Sequence, residues 1–251
     1  MKKKKRENKD GAGLRERMEN RILSLLFPPR CPVCDEAVSL KNGLICSGCK
    51  KKLNPIVPPF CCKCGRPLVS AEEEFCSDCS KIIHDFHEGK ALYVYEDIAS
   101  GIYRFKYAKR REYAKFFGGE MAEKFKDFVK RTKAEALIPV PLSKQRMYKR
   151  GYNQSELLAN EISKRTGIPV FNRFVVRVKD TVAQKGLNPA ERQNNLKKAF
   201  KIAQNDVKLS TIIIIDDIYT TGSTADAVAR LLKKAGIQKI YVLALSITAG
   251  R

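Results

Sequence analysis

Thr211-Ile212-Ile213-Ile214-Ile215-Asp216-Asp217-Ile218-Tyr219-Thr220-Thr221-Gly222-Ser223-Thr224, followed by Ala225-Asp226-Ala227-Val228, decides how the chain folds. The unbroken run of β-branched side chains reads as a strand buried on both faces of a parallel sheet. Two carboxylates arrive at its exposed end. A turn rich in hydroxyls and glycine then feeds a helix over 223–235, which Gly236 stops.

A helix start presents unpaired N–H groups and the positive end of the helix dipole, which together suit a phosphate monoester. Gly222 lets the backbone come close, and the Thr and Ser hydroxyls add donors. Adjacent carboxylates beside an anion site suit a vicinal diol, so the parts describe a cradle for a ribose 5-phosphate. The alternative is a βα turn whose acidic pair caps the helix or holds Mg²⁺ for other phosphate chemistry.

Working outward, strand and helix patterns alternate. Residues 91–95 read as a strand, 97–109 and 112–131 as helices, 136–141 as a strand, 153–165 as a helix ending at Gly167, and 168–178 as a strand. Asn188-Pro189-Ala190-Glu191 carries a helix-start signature. Strands follow at 199–203 and 239–246. Such alternation predicts an α/β domain with a mainly parallel sheet over 90–251, its ligands at the carboxyl ends of the strands. Residues 1–29 divide into a basic tail and a short amphipathic helix over 14–27, built on Leu14, Met18, Ile22, Leu25 and Leu26.

All nine cysteines lie between Cys31 and Cys79. Eight form knuckles, Cys31-x-x-Cys34, Cys46-x-x-Cys49, Cys61-x-x-Cys64 and Cys76-x-x-Cys79, and the second four repeat the first thirty residues later. Each knuckle turns two thiolates toward one point, and two knuckles complete a closed tetrahedral zinc site, structural rather than catalytic. Disulfides and an iron–sulfur cluster are the competing uses of such a pattern. The spacing leaves open whether knuckles pair within or across the repeat, hence one zinc or two in a 30–82 module. Cys62 is a spare thiol. His84 and His87 read as surface or packing residues.

The chain carries 49 Lys and Arg against 27 Asp and Glu, a net charge of +22 over 251 residues, which favours polyanionic partners without selecting one. No stretch reaches the ~20 apolar residues of a membrane span. The Lys-rich start has no adequate apolar run behind it for export, so the expected location is the cytoplasm, where clustered thiols bind metal.

The segment Thr211 to Thr224 resembles the phosphoribosyl pyrophosphate motif of type I phosphoribosyltransferases. The resemblance implies that Asp216 and Asp217 hold the ribose hydroxyls, and that Thr220, Thr221, Gly222, Ser223 and Thr224 hold the 5-phosphate. Purine-salvage members carry an Asp where this chain has Thr220, so purine salvage does not follow. Val140-Pro141-Leu142, Arg146, Lys149-Arg150-Gly151-Tyr152-Asn153-Gln154, Gln184, Arg192, Asn195 and Ala199-Phe200 are similar to the ComF competence family, as are Phe27-Pro28-Pro29-Arg30-Cys31-Pro32-x-Cys34 and the later knuckles. That resemblance implies a zinc-ribbon module followed by a phosphoribosyltransferase-like domain, associated in bacteria with uptake and processing of transforming DNA.

In such a fold the loop after the domain's first strand meets the pyrophosphate and its Mg²⁺. Ser143, Lys144, Arg146 and Arg150 are the expected contacts, Arg because it grips phosphate oxygens bidentately. The polar stretch 179–195, with Lys179, Asp180, Thr181, Gln184, Lys185 and Gly186, reads as a lid. A second basic patch, Arg104, Lys106, Lys109, Arg110 and Arg111, is interleaved with Tyr103, Phe105 and Tyr107. It suits single-stranded DNA, or else is an amphipathic helix with its aromatics in the core. Two functions stay open: a phosphoribosyltransferase of unknown acceptor, and a non-catalytic accessory protein that binds phosphoribosyl pyrophosphate and single-stranded DNA beside proteins of the competence machinery.

Overall fold

The computed structural model describes residues 28–39, 43–178, 199–203 and 208–250. The basic tail, the 14–27 helix, the 179–195 stretch with Gln184, Arg192 and Asn195, and the Asn188–Glu191 helix start lie outside the described residues. Two compact units divide at Lys52 and Leu53, between the two cysteine repeats. The first unit holds the first knuckle pair and a short helix α1 (Ser47–Lys52). The second unit holds the second knuckle pair and the main sheet.

Its sheet is four-stranded and parallel, in the order β1 (Glu88–Val94), β6 (Lys239–Ile247), β5 (Thr211–Tyr219), β2 (Ala136–Pro139). β5 and β6 are central, and their Ile-, Leu- and Val-rich sequences leave Ile212 to Ile215 and Leu243 to Leu245 with at most 1% exposure. That continuous apolarity is what a strand covered on both faces requires.

On one face Ile212, Ile214, Ile138 and Val242 join a core with Ala225, Val228, Ala229 and Leu232 of helix α7 (Ser223–Lys234). The same core includes Cys61, Cys64, Cys76 and Phe86, so the second cysteine repeat is part of the domain's interior. Ile213 and Ile215 alternate to the opposite face. There α2 (Tyr95–Tyr107), α3 (Tyr113–Lys124) and α6 (Gln154–Thr166) pack against the strands and one another.

Two expected elements differ. The 112–131 helix breaks at Phe125, whose φ of −104° and ψ of 17° end α3 before α4 (Lys126–Thr132). The rings of Phe125 and Phe128 lie 6.5 Å apart, and Phe128 meets Tyr241 of β6 edge-on, so aromatic packing on the sheet overrides a straight helix. The 168–178 strand is also divided. Val170 makes a single parallel bridge to Leu137, and only β3 (Val175–Arg177) is a strand, antiparallel to β4 (Phe200–Ile202).

Candidate functional site

β5 carries Asp216 and Asp217 to its carboxyl end, and the chain turns through Thr220–Gly222 into α7. Gly222 sits at the helix start with φ +78°. A Cβ there would overlap Tyr219 Oη and lie 2.8 Å from His84 Cε1, so both the conformation and the space demand glycine. Thr220 and Thr221 are exposed, Ser223 and Thr224 half-buried, and Thr221 Oγ1 lies 2.8 Å from Ser223 Oγ. The first-turn N–H groups of α7 lack intrahelical partners by construction, and an anion at this turn would meet them together with the hydroxyls.

The two carboxylates have different surroundings. Asp217 is nine-tenths buried and pairs with Lys106 of α2, Nζ to Oδ2 3.0 Å. Asp216 Oδ1 accepts from the Asp217 N–H at 2.8 Å and from Ser155 Oγ at 3.4 Å. Burial, and after it the negative charge of Asp217, push the Asp216 carboxyl up to about 7, against the opposing pull of Lys106, the Asp217 N–H and Ser155. Such a pair favours whatever brings donors or positive charge: sugar hydroxyls or a divalent cation.

β2 pairs with β5 so that Val140 N donates to Ile215 O at 2.9 Å, and the chain leaves the sheet beside Asp216. The loop leads into α5 (Lys144–Arg150), capped by buried Ser143, whose Oγ accepts from Arg146 N at 3.3 Å. Lys144 and Arg146 project into solvent. Arg150 turns inward. It is 8% exposed, donates to Gln154 Oε1 at 2.9 Å and Tyr107 Oη at 3.3 Å, and lies over the Tyr107 ring. Tyr152 Oη and Gln154 Nε2 both donate to Phe105 O, at 2.6 and 3.2 Å, while Asn153 caps α6 and ties it to Val140 O. The Lys149–Gln154 segment thus clamps the end of α2 to the loop that faces Asp216.

The second basic patch separates into two parts. Phe105 is fully buried and Lys106 is committed to Asp217. Tyr103 and Tyr107 are 63% and 61% exposed with ring centroids 5.1 Å apart, and Tyr148 of α5 is 91% exposed.

The cysteines form two groups, Cys31, Cys34, Cys46, Cys49 and Cys61, Cys64, Cys76, Cys79, with all Sγ atoms of a group within 4.8 Å. Knuckles therefore pair within each repeat. A tetrahedron with Zn–S bonds of about 2.3 Å has S···S edges of about 3.8 Å. Cys34 and Cys46, and likewise Cys64 and Cys76, stand at 3.7 Å. All nine thiols are free of disulfides, and both groups fit a four-thiolate zinc ion. The hydrogen bonds that Cys64 and Cys79 make to Cys61 push its thiol far below the ordinary value and push both of theirs up.

Three residues that the sequence singled out only weakly, or not at all, hold the site from beneath. Arg66, 4% exposed, donates Nη2 to Thr220 O at 3.0 Å and Nη1 to Asp78 Oδ2 at 2.5 Å. His84 Nδ1 lies 2.8 Å from Asp226 Oδ2, and the Asp85 N–H donates to Asp226 Oδ1 at 2.8 Å. Asp226 stands in the first turn of α7, but its partners lie some 140 residues earlier and no local signal marks them.

The double zinc ribbon domain matches residues 22–80, and the phosphoribosyl transferase domain matches residues 153–248. Competence protein F of Haemophilus influenzae is 35% identical over 88% of this chain and 97% of its own length. Competence protein ComFC of Bacillus subtilis (strain 168) is 30% identical over 76% of this chain and 79% of its own. DNA utilization protein YhgH of Escherichia coli (strain K12) is 27% identical over 89% and 99%. Among solved structures, adenine phosphoribosyltransferase from Thermoanaerobacter pseudethanolicus superposes with a TM-score of 0.35 at 15% identity, covering 66% of this chain and 93% of that one. No helix among the described residues is long and apolar enough to cross a membrane. With a double zinc ribbon, a phosphoribosyltransferase domain and relatives of this identity along nearly its whole length, the chain belongs to the ComF family of competence proteins.

Proposed function

We propose that the protein binds phosphoribosyl pyrophosphate with Mg²⁺ at the carboxyl end of β5 and serves the handling of transforming single-stranded DNA. The observation that carries the reading is the junction itself. Asp216 and Asp217 stand at the strand end, and a glycine-started helix follows within five residues. Asp216 and Asp217 accept from the ribose hydroxyls, while Thr220 to Thr224 and the α7 N–H groups hold the 5-phosphate. Exposed Lys144 and Arg146, in the first turn of α5 after the loop beside Asp216, neutralise the pyrophosphate together with Mg²⁺. The buried Arg150 positions that loop through Tyr107 and Gln154.

Transfer of the ribosyl group would break its C1–O bond to pyrophosphate. Positive charge then develops on the sugar, with Asp216 and Asp217 nearby. No carboxylate occupies position 220 to act as a base toward a purine.

The DNA half of the reading rests on the exposed Tyr103 and Tyr107 pair among Lys and Arg side chains, because bases stack on aromatics while phosphates meet the cations. The competence relatives supply the context. A soluble cytoplasmic setting agrees with reduced cysteines.

Calorimetric titration with phosphoribosyl pyrophosphate and Mg²⁺ tests the site. Wild type should bind, and Asp217→Ala with its zinc intact should not. Absence of any heat from the wild type at millimolar ligand would remove the reading. Pyrophosphate release assayed with bases, nucleotides and DNA separates the enzyme from the binding protein.

A further inference from the structure

We propose that the second four-cysteine zinc site is energetically coupled to the ligand site, with Arg66 as the positioning residue that joins them. This inference rests on the phosphoribosyl pyrophosphate reading above. It concerns what prepares the loop rather than what the loop holds.

The guanidinium of Arg66 spans two structures. Nη1 lies 3.8 Å from Cys76 Sγ and 2.5 Å from Asp78 Oδ2, and Nη2 donates to Thr220 O at 3.0 Å. A zinc ion with four thiolates carries a formal charge of about −2, which holds a neighbouring guanidinium firmly where the surroundings are dry. Arg66 is 4% exposed, and Cys64 and Cys76 beside it are buried.

The consequence for the loop follows from peptide geometry. In a planar trans peptide the C=O and the next N–H point in opposite directions. With Thr220 O drawn toward the ribbon, the N–H of Thr221 is aimed away from it, into the turn that precedes α7. A free Thr220–Thr221 peptide samples other orientations, and binding an anion would then cost the ordering.

A second tie acts on the helix. Asp226, in the first turn of α7, is held by His84 Nδ1 and the Asp85 N–H, each at 2.8 Å, and Arg230 reaches Asp85 at 2.6 Å. His84 stacks on Phe86, which belongs to the same buried core as Cys61 and Cys64. The second cysteine repeat, the segment after it and the phosphate loop thus belong to one compact unit, and stripping the metal withdraws the charge that seats Arg66.

Coupling is reciprocal, so it reads out at both ends. Arg66→Ala that retains two zinc ions per chain should bind phosphoribosyl pyrophosphate and Mg²⁺ about tenfold more weakly than wild type. In wild type, the same ligand should raise by a similar factor the concentration of a chromophoric chelator needed to strip one of the two zinc ions. In Arg66→Ala the ligand should leave that concentration unchanged, which also controls for zinc binding by the ligand itself. Should Arg66→Ala fail to fold, the wild-type competition needs no variant, and Arg66→Lys, which keeps the charge without the fork, replaces it. If wild type binds the ligand, yet chelator competition is the same with and without it, the coupling is refuted while the site survives. If wild type binds no ligand at all, the reading of the site falls and takes the coupling with it.

Discussion

Lys106 Nζ stands 3.0 Å from Asp217 Oδ2, so a helix that begins at Tyr95 supplies the counter-charge for a carboxylate more than a hundred residues later. Both side chains are almost nine-tenths buried, which makes the pair costly to break from one side only. Lys106→Met should therefore destabilise the fold by about 2 kcal/mol, and Lys106→Met with Asp217→Asn should recover most of it. Urea unfolding of the two single variants and the double variant gives the coupling energy. A double variant no better than the sum of the singles would mean that the pair is not interacting.

Asp216 ties pH to both stability and binding. Its carboxyl is pushed up from 3.8 to about 7 in the folded protein, so the folded state binds a proton there that the unfolded chain releases. The stability this proton brings is complete below about pH 4 and is lost as pH rises through about 7. Asp216→Asn removes the penalty and should be more stable than wild type at pH 8 by roughly 2 kcal/mol, with the gain shrinking toward pH 4. The same variant should lose ligand affinity, because a neutral amide accepts from ribose hydroxyls less well. Thermal unfolding from pH 4 to pH 8 follows the first effect. A constant difference across that range would sink the assignment.

Gly222 leaves no room for substitution. At φ +78° any side chain is strained, and a Cβ meets Tyr219 and His84 at once. Gly222→Ala should cost about 2–4 kcal/mol and abolish ligand binding before it abolishes folding. Circular dichroism beside calorimetry separates these outcomes, and a variant that binds as wild type would show the turn to be pliable.

Tyr103 offers a different kind of test, since its ring is 63% exposed and its ring contact is with the equally exposed Tyr107. Tyr103→Ala should leave stability within about 0.5 kcal/mol while weakening single-stranded DNA binding by roughly 1–2 kcal/mol. Binding of both proteins should fall steeply with salt, which fluorescence anisotropy against an oligonucleotide would record. Equal affinity of variant and wild type would move the DNA elsewhere on the basic surface.

How much of this was readable in advance depends on how local each signal was. The apolar run 212–215, the acid pair and the glycine before α7 sit within a dozen residues, and the structure assembles them as the pattern implies. The parallel sheet and the four knuckles are likewise carried by spacing, whereas the pairing of knuckles within each repeat comes from the structure alone. Arg150 was not readable as an inward residue, because its burial is decided by Tyr107, which comes 43 residues earlier. Lys106 looked like one cation of a surface patch, although Asp217 draws it inward. The break at Phe125 depends on rings from α4 and β6, which helical periodicity does not register. Arg66 and His84 are the extreme case: their partners Thr220 and Asp226 lie 154 and 142 residues away.

The division of the chain at residues 52 and 53 has a practical bearing on any attempt to shorten it. Cutting before Leu53 leaves the second cysteine repeat attached to the sheet. Cutting after residue 82, where the repeat ends in the sequence, would bare the flank of the interior now closed by Ile56, Cys61, Cys64 and Cys76, and would leave the Thr220 carbonyl without its donor. The part of this molecule after residue 82 is therefore not self-sufficient: its lower wall is written in the second cysteine repeat that precedes it.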